Sequence, residues 1–236
     1  MTVHSASSRE RSSVHSASSR ERSSVHSASS RERSSVQMRD AKRKLPAERH
    51  GELLAKAVEI SAAEGLSAVT LRRVATDLGV TPGLVSHYFS SAEQLITAAF
   101  TTAAVADLAA ARSRVAAVVT PTAKMDALMD YVLDESSEDA SALWLDAWSL
   151  GRRNVALAAA ANALTDEWLE CLADIVRHGV DSGEFRVADA DVAARRLLTM
   201  IDGLGAQMVV RAVPSGEAKH IARSYFPSEL GIETRD

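Results

Sequence analysis

Apolar and polar positions along this chain recur with the period of an α-helix, and no segment carries the alternation of a strand. From Pro46 to Glu64, Leu53, Leu54, Ala57 and Val58 return at intervals of three and four. Pro46 suits a first helical turn and Gly65 suits a stop. A short second helix follows the N-cap Thr70, runs through LRRVATDL and ends at Gly79. Thr81 caps a third, with Pro82 at its first position and Leu84, Val85, Tyr88 and Phe89 as its apolar set. A helix of barely two turns buries too little to stand alone. Either it connects larger elements, or its open side, with Ser86 and His87, has a task. Ser90 and Glu93 have capping-box spacing at the head of a fourth helix, from Ala92 to about Val119, which Pro121 ends. Further helices are expected from about Ala123 to Glu135, Ala140 to Arg153, Val155 to Gly179, Ala190 to Arg211 behind the cap Asp189, and Glu217 to Tyr225.

The second and third helices are separated by about three residues that include a glycine, as in a helix-turn-helix. Ala75, four residues before Gly79, is small enough to let the two helices approach. Gly79 supplies the unusual torsion of the turn. Val74, Leu78, Val80 and Val85 fall where such a unit needs apolar residues against a supporting helix. A chance helical hairpin would meet part of this pattern.

Composition and charge sharpen the picture. Apolar residues make up 46% but aromatics only 4%, a helical composition. Cys171 is the one cysteine, so no internal disulfide forms, and a reducing compartment fits. No apolar run approaches the ~18–20 residues of a membrane span, and the N-terminus has no apolar signal core, so a cytoplasmic protein without a membrane partner is expected. The net charge of −4 is uneven: residues 1–50 hold eleven Lys/Arg against five Asp/Glu, leaving −10 for the rest. A basic end on an acidic body suggests an anionic partner, commonly nucleic acid. Residues 3–35 are three copies of VHSASSRERSS, a tail (1–36) too polar to offset its ordering entropy. A basic arm (37–45) follows, with Arg39, Lys42, Arg43 and Lys44.

The stretch TLRRVATDLGVTPGLVSHYFSSAEQL, Thr70 to Leu95, resembles the N-terminal domain of the TetR family of bacterial repressors. Thr70, Ala75, Gly79, Val80, Gly83, Tyr88, Phe89, Glu93 and Leu95 match its pattern, as do Ala57 and Gly65 upstream. Ser86 stands where the family usually has a tyrosine, and Ala92 where it usually has a lysine. Both family residues commonly touch DNA phosphates, so two backbone contacts are in doubt while the docking mode is not. The resemblance makes the short helix the reader, presenting Thr81, Pro82, Gly83, Leu84, Ser86 and His87 to the major groove. Thr70, Arg72, Arg73, Ser86, His87 and Tyr88 are the expected phosphate or base contacts. For Arg72 and Arg73 a solvated helix face is the plain alternative, and for Tyr88 simple packing.

Beyond residue 91 the motifs WLDAW, DEWL, GVDSGEFRVAD and LLTMIDGL resemble the C-terminal domain of the choline-sensor (BetI-like) branch of that family. The resemblance implies an all-α protein: a three-helix helix-turn-helix domain (46–91), then a helical ligand-binding and dimerisation bundle (92–230) and a short tail (231–236). The implied partners are a palindromic double-stranded DNA operator, a second copy, and a small-molecule effector whose identity the sequence does not give. Ligand-site candidates are Met125, Met129, Trp144, Trp148, Trp168 and Asp202. An aromatic cluster suits a quaternary ammonium, though the tryptophans could be ordinary core and the methionines gap-fillers. Asp202, in an apolar run, needs a partner: a ligand cation or an interhelical hydrogen bond. There is no phosphate loop, HExxH, paired cysteine or nucleophile elbow, so no catalytic residue, metal or cofactor is expected. The expected function is a repressor released from its operator by a ligand, nucleoid-associated when bound. An activator, an effector-assisted repressor, or a non-regulatory ligand-binding protein are the alternatives.

Overall fold

Local capping chemistry sets the helix starts in the computed structural model, which describes residues 45–232. The repeat tail, the arm up to residue 44 and residues 233–236 lie outside the described part. Among the described residues there are nine α-helices and no strand. They are α1 (Pro46–Glu64), α2 (Leu71–Asp77), α3 (Pro82–Tyr88), α4 (Ala92–Ala116), α5 (Pro121–Val132), α6 (Glu138–Gly151), α7 (Val155–Ser182), α8 (Ala190–Val209) and α9 (Ser215–Leu230). The side chains of Thr70, Thr81, Ser91, Thr120, Asn154 and Asp189 each accept a backbone N–H of the following first turn. Each thereby satisfies a donor that a helix start would leave orphaned.

Two starts differ from expectation. The cap of α4 is Ser91, not Ser90: Ser91 Oγ accepts from Gln94 N at 3.2 Å, and Gln94 Oε1 accepts from Ser90 N at 2.6 Å. The box is shifted one residue because Gln94, not Glu93, reaches back. Pro121 does not merely stop α4; it opens α5 at a first-turn position, where its missing N–H costs nothing.

Residues 47–232 belong to one compact unit with three apolar cores. The first joins α1 to α4 through Leu53, Ala57, Ile60, Val74, Val85, Phe89 and Leu95. The second brings Leu66 against Phe100 and Ala104 of α4, Leu143 and Ala147 of α6, and Leu157 of α7. The third fills the space among α4, α5, α7, α8 and α9.

Helix α4 contributes to all three cores: Leu95 and Ala99 to the first, Phe100 and Ala104 to the second, Leu108 and Ala111 to the third. Serving three cores requires a long apolar helix. Contrary to the sequence expectation, α4 is long and apolar enough, by length and composition alone, to cross a membrane. Spread alanines raise its mean hydropathy without an unbroken run of large apolar residues.

Candidate DNA-reading face and effector pocket

The α2–α3 turn is closed by Gly79, whose φ of 64° a side chain would strain, and by Val80 N donating to Ala75 O at 2.9 Å. With the turn fixed, α3 can present only one side inward. Val85 is fully buried and Phe89, just past the helix, is 2% exposed. Thr81, Pro82, Gly83, Ser86 and His87 are exposed, and Leu84 and Tyr88 are half-buried. The structure thus leaves the wet flank of α3 open, as the sequence implied.

Polar groups on this flank are partly engaged by the backbone. Thr81 Oγ1 accepts from Leu84 N at 3.3 Å, and Ser86 Oγ donates to Pro82 O at 3.0 Å. Each hydroxyl keeps hydrogen-bonding capacity for an outside partner. Tyr88 packs its ring edge-on to His87, at 5.2 Å between centroids, and to His50 of α1, at 6.3 Å. His50 also stacks on Phe89 at 4.9 Å. Sequence reading missed His50 because its partners lie almost forty positions away.

Arg72 and Arg73 part company. Arg72 is exposed. Arg73 is held by two carboxylates: Nη1 and Nη2 donate to Glu64 at 2.9 and 2.6 Å, and Nε donates to Asp77 at 3.0 Å. These hydrogen bonds, Glu64 first, raise its already high pKa further. Its fork thus ties the end of α1 to α2, while the side chain stays 40% exposed. Thr70 Oγ1 is likewise occupied as the α2 cap, accepting from Arg73 N at 3.0 Å.

In the larger half, α4, α6, α7 and α8 line an open slot. Trp144, Trp148, Trp168 and Asp202 all line it, together with Asp107, Ser137, Ser141 and Thr165. Trp144 and Trp148 pack at 5.9 Å, and Trp144 sets its edge to Phe100 at 5.2 Å. Trp148 is 39% exposed, whereas Trp168 is buried with its indole N–H unpartnered. No lining residue is basic.

Asp202 forms neither an ion pair nor a hydrogen bond among the described residues, which removes the interhelical-bond alternative. Burial alone pushes its pKa up to about 6. Asp107, which sequence reading missed, accepts from Tyr131 Oη at 2.6 Å, and its pKa is also raised, chiefly by burial. Its signal is a contact between helices, without a local motif.

Met125 and Met129 are not part of this lining, and that expectation is corrected. They lie one turn apart on the stripe of α5 that faces the third core and are 2% and 1% exposed. On the same helix, Val132 reaches the slot.

Residues 53–99 match the family model described as bacterial regulatory proteins, tetR family. Residues 121–231 match the model described as BetI-type transcriptional repressor, C-terminal. The chain is 28% identical over 196 residues to the HTH-type transcriptional regulator BetI 1 of Chromohalobacter salexigens, covering 79% of this chain and 92% of that protein. It is 27% identical over 192 residues to BetI of Pseudomonas aeruginosa, covering 79% and 95%. Among solved structures, a putative transcriptional regulator from Saccharomonospora viridis in complex with choline superposes with a TM-score of 0.72 at 22% identity, covering 80% of this chain and all of that one. One from Pseudomonas aeruginosa gives 0.68 at 18%, covering 80% and 93%. At these identities the superpositions establish the shared fold.

Proposed function

The chain belongs to the TetR family of bacterial regulatory proteins, with a BetI-type C-terminal domain, and from that premise we propose a cytoplasmic, homodimeric repressor released from its operator by a small organic cation. Its family and relatives are transcriptional regulators, not enzymes.

One observation carries the DNA-binding part: α3 is clamped by Val85 and Phe89 while Ser86, His87 and Thr81 face outward. Ser, Thr and His reach base edges or phosphates, and Leu84 or Pro82 can meet a thymine methyl. The roles of Thr70, Arg72, Gly83 and Tyr88 are proposed as supporting contacts to the backbone. Two such helices, one DNA turn apart on a two-fold dimer, read a palindrome. Gly203 supports a dimer through α8 and α9. It is exposed in mid-helix with nothing within 4 Å of where a Cβ would stand. A glycine there costs the helix about 1 kcal/mol, and close approach by a second copy would explain it.

The effector reading rests on the slot. Three indole rings and an unpaired carboxylate, with no basic neighbour, complement a quaternary ammonium. The indole N–H of Trp168 would suit an oxygen on the same ligand, and the choline complex of the Saccharomonospora relative agrees with this class. The ligand must bind the DNA-incompetent state more tightly, tilting α4 and the reading helices with it.

The test is a gel shift at fixed salt with a duplex selected by this protein from random DNA, titrated with choline chloride. Release of the duplex supports a cation-released repressor. Tighter binding would favour an effector-assisted regulator. No effect, together with unchanged tryptophan emission, would remove this cation from the account.

A further inference from the structure

Helix α6 has two working sides. Ser141, Trp144 and Trp148 face the slot, while Leu143, Asp146 and Ala147 face the start of the DNA-reading unit. Asp146 Oδ2 accepts the backbone N–H of Leu66 at 2.7 Å. Leu66 follows α1, in the single turn of 3-10 helix before α2. Its side chain is fully buried against Leu143 and Ala147.

Close approach is built into the backbone here. Gly65 adopts a φ of 86°, and a Cβ there would stand 2.7 Å from Asp146 Oδ2. The torsion requires glycine, and a side chain there would also push on the Asp146 carboxylate. The turn that follows α6 is tied as well. Asn154, at the α6–α7 turn, donates through Nδ2 to Glu93 O at 3.3 Å, on the first turn of α4.

We propose that Asp146 is a positioning residue that links the effector slot to the α1–α2 turn through α6, by a route that does not pass along α4. The sites on α6 are two residues apart on either side of Asp146, since Trp144 and Trp148 flank it. A ligand that moves α6 through the two indoles carries with it the carboxylate that holds Leu66. The Leu66 amide is largely shielded from water, so losing its acceptor costs far more than breaking an exposed bond. The turn must then move with α6. The inference rests on the slot being the effector site.

Coupling is reciprocal, so the link can be read from the DNA end without any ligand. The three tryptophans are the only ones in the chain and all line the slot. The experiment adds the selected duplex to the full-length protein and records tryptophan emission, with a scrambled duplex as control. In the unmutated protein the selected duplex is expected to shift the emission. Asp146→Ala should bind the duplex within about threefold of the parent but lose the shift, and Asp146→Asn, which keeps an acceptor oxygen, should restore it. The link is overturned if Asp146→Ala keeps the shift, if the parent shows none, or if a folded Asp146→Ala protein simply stops binding DNA. Should that variant fail to fold, amide exchange at Leu66 in the parent decides. Saturating choline chloride should speed it at least fivefold, and unchanged exchange overturns the link. Choline that quenches the tryptophans without altering Leu66 leaves the cation-released repressor standing and removes only this route. Choline that leaves the tryptophans untouched removes both.

Discussion

The proposed reading unit and the proposed effector slot are finished to different degrees. Around α3 the polar groups have partners within the chain: Thr70 and Thr81 cap, Ser86 bonds back to Pro82, and Arg73 is forked onto Glu64 and Asp77. In the slot, Asp202 is half-buried without a partner and the Trp168 N–H is orphaned. A surface that reads DNA must hold its shape before the duplex arrives, because rigidity lowers the cost of binding. A slot that triggers a conformational change benefits from groups that only the ligand satisfies. Their unpaired cost makes the empty state easy to shift.

The largest expected effect breaks the rigid side. Phe89→Ala removes a fully buried ring that also stacks on His50, with a loss of about 3–5 kcal/mol. Thermal unfolding should show a much lower Tm, and the protein should lose selected-duplex binding at growth temperature while choline still quenches any folded fraction.

An intermediate effect belongs to the slot. A cation beside Asp202 favours the ionised carboxylate, but the empty protein holds that proton up to about pH 6. Because the raised value belongs to the ligand-free state, binding must expel the proton below pH 6 and need not above it. Choline affinity, read from tryptophan emission, should rise roughly tenfold from pH 5 to pH 7 and then level. Asp202→Asn should bind more weakly at pH 7 and show a flatter profile, with the remaining slope from Asp107. A parent profile that is flat would mean the ligand does not meet Asp202.

The smallest effect separates two adjacent arginines. Arg72→Ala should lower the slope of log affinity against log salt by about 1, as for one lost phosphate contact. Arg73→Ala should leave that slope nearly unchanged and lower the Tm only slightly, because exposed ion pairs contribute little to stability.

Legibility followed the range of the interactions. Thr70, Gly79, Thr81 and Pro82 act on neighbours a few residues away, so the chain announces α2, the turn and α3 almost to the residue. The pair Trp144 and Trp148 was legible because residues four apart share a helix face. Apart from the one-residue shift of the α4 cap, the misses depended on packing between elements. The ion pair of Arg73 with Glu64 spans a turn and leaves no local sign, and periodicity does not say which neighbour the stripe carrying Met125 meets. Asp107 with Tyr131, and Asp146 with Leu66, join positions 24 and 80 apart.

The central claim is that the outward flank of α3 reads DNA. It is tested most directly by the double variant Ser86→Ala, His87→Ala, compared with the parent on selected and scrambled duplexes at one salt concentration. The account expects an unchanged circular dichroism spectrum and Tm, a loss of about tenfold or more on the selected duplex, and little change on the scrambled one. Equal affinity of variant and parent for the selected duplex would contradict it.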